Sequence, residues 1–188
     1  MTVDDAGVDD PGTGHVDVYY ERQPSRAHTF TAAPTGSPYR NLELSARFSR
    51  DRTARTNSQA MQVKWLITPT RDAGCNTGVS ATLSHGGGTG NTPAVNGMLT
   101  CNLGWGANHF NLGGIRDPGR SAQGTWGIAH ERGFGAVTAN VEAFGQRHNK
   151  PTFQIGARTS LTDKLNLNGS IGRTGGETLF SVGVALEL

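Results

Sequence analysis

From Val137 to Arg173 the chain reads VTANVEAFGQRHNKPTFQIGARTSLTDKLNLNGSIGR, and its apolar residues recur at every second position. Val137, Ala139, Val141 and Ala143 share one side of an extended chain, with Thr138, Asn140 and Glu142 on the other. The pattern returns in Phe153, Ile155 and Ala157 against Gln154 and Arg158, and in Leu165, Leu167 and Ile171 against Asn166, Asn168 and Ser170. A period of two marks β-strands with one apolar and one polar face.

Followed along the whole chain, the alternation predicts twelve strands, at 14–24, 27–34, 40–50, 56–68, 75–86, 94–105, 107–116, 121–131, 135–147, 151–161, 164–173 and 177–188. The breaks carry turn chemistry in PTGSP, RDRTAR, HGGGTGN, RDPGR, RHNKP, LTDK and RTGGE, and no helical period competes. An even strand number predicts an all-β fold, a transmembrane antiparallel up-and-down barrel spanning 14–188 behind a periplasmic segment at 1–13. With both termini periplasmic, the connections near 24, 53, 88, 118, 149 and 175 lie outside and those near 37, 72, 106, 133 and 163 inside.

Composition supports a barrel that faces lipid. Only 35% of the 188 residues are hydrophobic and 27 are glycine, too little apolar material for a soluble sandwich of this length. Disorder would not produce strict alternation, and a charged fraction of 17% is low for it. No run of about twenty apolar residues offers a transmembrane helix, whereas a spanning strand needs only about 9–11 residues. The opening MTVDDAGVDD lacks the basic and apolar regions of an export signal, so Met1 is read as standing where a signal was removed. The compartment expected is the bacterial outer membrane.

Aromatic positions give a second line of argument. Tyr20, Phe48, Phe153 and Phe180 have outward parity near the outer strand ends, and Trp65, Trp105 and Phe110 have it near the periplasmic ends. Two aromatic girdles are what a membrane barrel places at its interfaces. The alternative is that some of these rings anchor a soluble core.

If the apolar parity faces lipid, the interior is lined by Asp17, Glu43, Arg47, Gln62, Lys64, Asn102, Asn111, Gln123, Asn140, Glu142, Gln154, Arg158, Asn166 and Asn168. Symmetric hairpins about residues 53 and 149 set Glu43 opposite Lys64 and Glu142 opposite Arg158. Such pairs neutralise one another and tie strands together more than they select a solute. Twelve strands fall between the filled eight-stranded barrels and the water-filled larger porins, so strand number leaves an open and a closed lumen both in play.

Cys75 and Cys101 share outward parity near the periplasmic ends of adjacent strands; they are either a disulfide or two small lipid-facing thiols. His109 points inward, without an obvious serine and acid at its level, so no catalytic residue is assigned and no enzyme is expected. No zinc-spaced cysteines occur, and the glycine run at Gly86–Asn91 precedes no helical pattern, so neither a metal nor another cofactor is expected. A net charge of +2 gives no reason to expect nucleic acid. The basic residues nevertheless gather on the proposed outer connections, as Arg22, Arg26, Arg50, Arg52, Arg55, Arg116, Arg120, Arg147, Lys150 and Arg173. Guanidinium groups bind phosphate bidentately, so this rim is expected to contact lipopolysaccharide, with simple solvation of charged loops as the alternative.

The stretches TVDDAGVDDPGTGHVDVYYER, AMQVKW, HFNLGGIRD, VEAFGQR and PTFQIGARTSLTDKLNLNGSIGR resemble the bacterial outer-membrane barrels known as transporters of the phenol-degradation meta-pathway type. The resemblance covers most of the chain and implies a passive channel for small molecules, apolar or aromatic ones among them. The other readings are a closed structural or binding barrel and a lipid-modifying outer-membrane enzyme.

Overall fold

The fold was obtained as a computed structural model, which describes residues 2–23, 27–68, 73–86 and 90–188. Met1, Arg26 and residues 87–89 of the HGGGTGN turn lie outside the described residues. The strands are β1 (Gly14–Arg22), β2 (His28–Tyr39), β3 (Leu42–Asp51), β4 (Asn57–Leu66), β5 (Gly74–Gly86), β6 (Asn91–Leu103), β7 (Gly106–Ile115), β8 (Gln123–Phe134), β9 (Val137–Gln146), β10 (Thr152–Thr162), β11 (Leu165–Thr174) and β12 (Glu177–Glu187). Each pairs antiparallel with its neighbours in sequence, and β12 pairs with β1 to close the barrel. Closure leaves no unpaired edge, which is what permits a sheet to lie in hydrocarbon. One end holds Gly14 and Leu188, joined by a hydrogen bond from Leu188 N–H to Gly14 C=O of 2.9 Å. This end is the base, and the opposite end the far rim.

The packing inverts that of a soluble domain. Thirty large hydrophobic side chains are exposed, whereas the buried apolar set among the described residues is only Val3, Ala6, Ala27, Leu66, Met98 and Ala129. The accessible surface is 11256 Å², against about 8,600 Å² for a compact protein of this mass, because the interior is wet as well. Phe48 (54% exposed), Trp65, Trp105, Phe110 and Phe153 are all on the outside. Tyr20 is half-buried because it packs on Phe30 and Phe180.

Two registers depart from the sequence reading. The stretch PTGSP, expected to form the connection at 37, continues β2 as far as Tyr39, and the turn falls at residues 40–41. Pro34 lacks a donor, and pairing with β3 is interrupted there, but β1 keeps its ladder through Pro34 to Gly36. Ser37 is then held by hydrogen bonds with Gly12 and Thr13.

The second departure is in the hairpin of β9 and β10. Glu142 is opposite Gln154, not Arg158, and Arg158 is opposite Thr138. The connection is tighter than a symmetric turn at 149: Asn149 N–H bonds to Gln146 C=O at 3.1 Å, and His148 takes a left-handed conformation with φ of 71°. Those two features close the hairpin early and slide the strands past one another.

Candidate functional site

Residues 2–13, expected as a periplasmic segment ahead of the barrel, turn back from the base and enter the lumen. The segment has too few apolar residues to stand as a strand, but its backbone donors find polar side chains on the inner wall. Glu142 accepts hydrogen bonds from the N–H groups of Thr2 (2.7 Å) and Val3 (2.7 Å). Asn111 binds both polar groups of Asp4, accepting from its N–H at 2.8 Å and donating to its C=O at 2.7 Å. Ala6 N–H donates to Thr100 Oγ1 at 2.8 Å. Nearer the base, His15 Nδ1 meets Asp9 at 2.8 Å.

An ionic latch reinforces these bonds. Lys64 Nζ lies 3.2 Å from Asp4 Oδ1, 3.5 Å from Asp5 Oδ1 and 3.8 Å from Glu43 Oε1. Glu43 is the cross-strand neighbour of Lys64, so one ammonium serves both the wall and the segment. Burial pushes the Asp4 carboxyl above the usual carboxylate range, and Lys64 pulls the other way. Glycine supplies room: a Cβ on Gly127 would come within 2.9 Å of a Val3 methyl, and Val3 is buried.

Each wall group that grips the segment also has a partner within the wall. Lys64 has Glu43; Glu142 accepts from Gln154 Nε2 at 3.1 Å; Asn111 Oδ1 accepts from Asn96 Nδ2 at 3.2 Å; Thr100 Oγ1 lies 3.0 Å from His109 Nδ1. The last contact extends into a row, with His109 Nε2 3.7 Å from Glu131 Oε1 and Arg158 Nη2 3.1 Å from Glu131 Oε2. Hydroxyl, imidazole and carboxylate therefore lie in sequence, an arrangement missed when His109 was read alone. The row is sealed beneath the segment: His109 is 1% exposed and the Thr100 oxygen is already bonded to Ala6. The segment thus occupies the Thr100 hydroxyl, while Glu131 at the other end of the row borders the open part of the lumen.

Beside the segment a cavity of about 640 Å³ remains, running along the walls of β1–β4 and β8–β12. Asp17, Glu43, Arg47, Gln62, Asn140, Gln154, Arg158 and Asn168 all border it. Its described lining carries five carboxylates (Asp4, Asp17, Glu21, Glu43 and Glu131) against two guanidinium groups (Arg47 and Arg158), with Tyr19, Phe144 and Leu179 as the bulky less polar contacts. Asp4, Tyr19, Glu21 and Glu131 escaped the sequence reading of the lumen.

Outside the lumen, Cys75 and Cys101 form a disulfide between register partners on β5 and β6. Arg50, Arg52, Arg55, Arg116, Arg120, Arg147 and Lys150 all belong to the far rim or the strand ends below it, opposite the base turn at residues 163–164. Among the described residues no group of acids, histidines and cysteines is spaced to hold a metal ion.

A closed barrel of twelve antiparallel strands, apolar outside and polar within, is the architecture of porin-type barrels. Residues 1–183 match the family described as Uncharacterised conserved protein UCP029691, and the chain belongs to that family. A search of curated proteins gives no match. Among solved structures the fold is similar to "KdgM porin in complex with disordered oligogalacturonate", with a TM-score of 0.81 at 12% identity, covering 92% of this chain and 98% of that one. The NanC porin gives a TM-score of 0.73 at 8% identity, covering 93% of this chain and 100% of that one. The COG4313 outer membrane channel from Pseudomonas putida F1 gives 0.67 at 10% identity, covering 98% of each chain. These neighbours share the fold and are porins or channels.

Proposed function

We propose that the protein is a passive channel of the bacterial outer membrane, with both termini on the periplasmic side. The observation that carries this reading is the polar cavity beside the N-terminal segment, enclosed by a wall whose outer surface is apolar. Connection lengths support the orientation: four of the five on the base, at 40–41, 104–105, 135–136 and 163–164, have two residues each, with 67–73 the exception, while five of the six on the far rim are longer, with 175–176 the exception.

The lining favours small neutral or cationic solutes. Five carboxylates against two guanidinium groups and the Lys64 ammonium, which is shared by Asp4 and Glu43, leave an excess of negative charge in a narrow passage, which raises the local concentration of cations over anions. An acidic oligosaccharide of the kind named for the KdgM complex fits such a lining poorly. Tyr19, Phe144 and Leu179 offer contact to an apolar or aromatic ring, in keeping with the resemblance to barrels of the phenol-degradation meta-pathway type. No step in this reading requires catalysis.

The second reading, a closed structural barrel, is favoured by the segment itself, which occupies part of the lumen beside the cavity. Liposome swelling separates the two. Vesicles carrying the protein should admit small neutral and cationic organic solutes faster than protein-free vesicles. Equal rates would leave the closed barrel.

A further inference from the structure

The outer surface is not a uniform apolar belt. Along β9 the outward residues Val141 and Ala143 are flanked by larger side chains, with Ile128 and Phe153 beside Ala143 and His130 and Ile155 beside Val141. The result is an external groove of about 720 Å³. One level above Ala143, Trp126 packs on Gly145, with the indole Nε1 3.5 Å from where a Cβ on Gly145 would stand.

The charge at the head of this groove is cationic. Arg173 borders the groove directly, level with Phe153. Arg147 and Lys150 are exposed on the connection that leaves the top of β9. Lys150 reaches the neighbouring turn, where its Cδ is 3.3 Å from the position of a Gly175 Cβ, so the two connections put their charges together. Glu177 is the acid on that turn. A long apolar trough topped by clustered cations complements an anionic headgroup joined to acyl chains.

We propose that this groove binds a phosphorylated, multiply acylated lipid of the outer leaflet, lipopolysaccharide, with an acyl chain along Val141 and Ala143 and a headgroup phosphate on Lys150 and Arg173. The site rests on the outer-membrane reading and gives the general expectation of a basic rim one location. Small residues at the floor let the chain approach the sheet, gaining dispersion contacts that a flat belt does not provide. The groove is outside the barrel and independent of whether the lumen conducts.

The test is retention of lipopolysaccharide by detergent-solubilised protein, followed by native mass spectrometry with phosphatidylethanolamine and inorganic phosphate as the other probes. Ala143→Trp fills the groove, and Val182→Trp adds the same bulk to an outward position on β12, 47% exposed and away from it. Lys150→Gln with Arg173→Gln removes the headgroup contacts. Lipopolysaccharide should be retained by the wild type and by Val182→Trp, and lost about tenfold in the charge double variant, the scale of two exposed charge contacts. Ala143→Trp should lose as much, while inorganic phosphate at matched ionic strength competes only weakly. Equal retention in the two tryptophan variants, or full displacement by inorganic phosphate, would overturn the groove. Wild-type protein that inserts into vesicles yet retains no lipopolysaccharide overturns the groove alone; protein that fails to insert overturns the membrane reading with it.

Discussion

Lys64 holds Asp4 of the N-terminal segment at 3.2 Å while its cross-strand neighbour Glu43 stands 3.8 Å away. The lysine therefore keeps a counter-ion whether the segment is docked or not. Asp4→Asn combined with Asp5→Asn should loosen the segment without harming the wall. Cleavage within residues 2–13 by an added protease should accelerate, by about tenfold if the lost pairing is near 1.4 kcal/mol. Lys64→Met is a different matter, because Lys64 is buried and three carboxylates lose their cation. That variant should cost about 3–5 kcal/mol in reversible unfolding, the range for breaking a buried ion pair.

Gly127 supplies a steric counterpart to that electrostatic test. A leucine at this inward position would occupy the place of the Val3 side chain, since even a Cβ comes within 2.9 Å of it. The overlap is with the segment rather than a neighbouring strand. Gly127→Leu should expel residues 2–6 while leaving the barrel folded, with heat-modifiable migration in gels retained and protease access to the segment gained. Loss of the folded barrel together with the segment would show that the two are one cooperative unit.

The two faces of β9 differ by one residue in sequence and should differ sharply in tolerance to charge. Val141 is 53% exposed on the outside, and Asn140 borders the lumen cavity. Arg at Val141 should destabilise the barrel by about 2–4 kcal/mol in lipid if the site is near the midplane, and Arg at Asn140 by much less. Reversible unfolding in bilayers measures both, and equal costs would contradict the assignment of faces.

Alternation alone made the twelve strands and the inward and outward parity of β3, β4, β9 and β10 legible, because a period of two has only one way to face a bilayer. The register of Glu43 with Lys64 could be read because that hairpin is symmetric about its turn, whereas the pairing of Cys75 with Cys101 stayed open because the glycine-rich HGGGTGN connection permits several registers. The register of Glu142 could not: the left-handed His148 and the bond from Asn149 to Gln146 tighten a turn whose residues permit several lengths. The lumen segment was the larger omission. Its anchors are backbone N–H groups meeting Glu142, Asn111 and Thr100, and backbone donors leave no mark in a side-chain pattern. The one available sign was the paired carboxylates of Asp4 and Asp5 ahead of a strand, facing a lysine with a single acid visible to the sequence.

If the lumen conducts as proposed, the lining of the cavity beside the segment sets its charge selectivity. With Asp17, Glu21, Glu43 and Glu131 outnumbering Arg47 and Arg158, the reversal potential under a potassium chloride gradient should have the sign of cation preference. Asp17→Asn with Glu21→Gln should bring it toward zero, and raising the salt should weaken it as the field is screened. An anion preference in the wild type would contradict the proposed solute class while leaving conduction itself intact.

The central claim is that a passage runs beside the N-terminal segment through a membrane-spanning barrel. Single-channel recording in planar bilayers, comparing the full chain with a variant lacking residues 2–8, tests it most directly. The account predicts small, discrete conductance steps for the full chain and several-fold larger ones once the segment is removed, because the segment and the 640 Å³ cavity share one lumen. No discrete current from either protein, despite verified insertion, would contradict it.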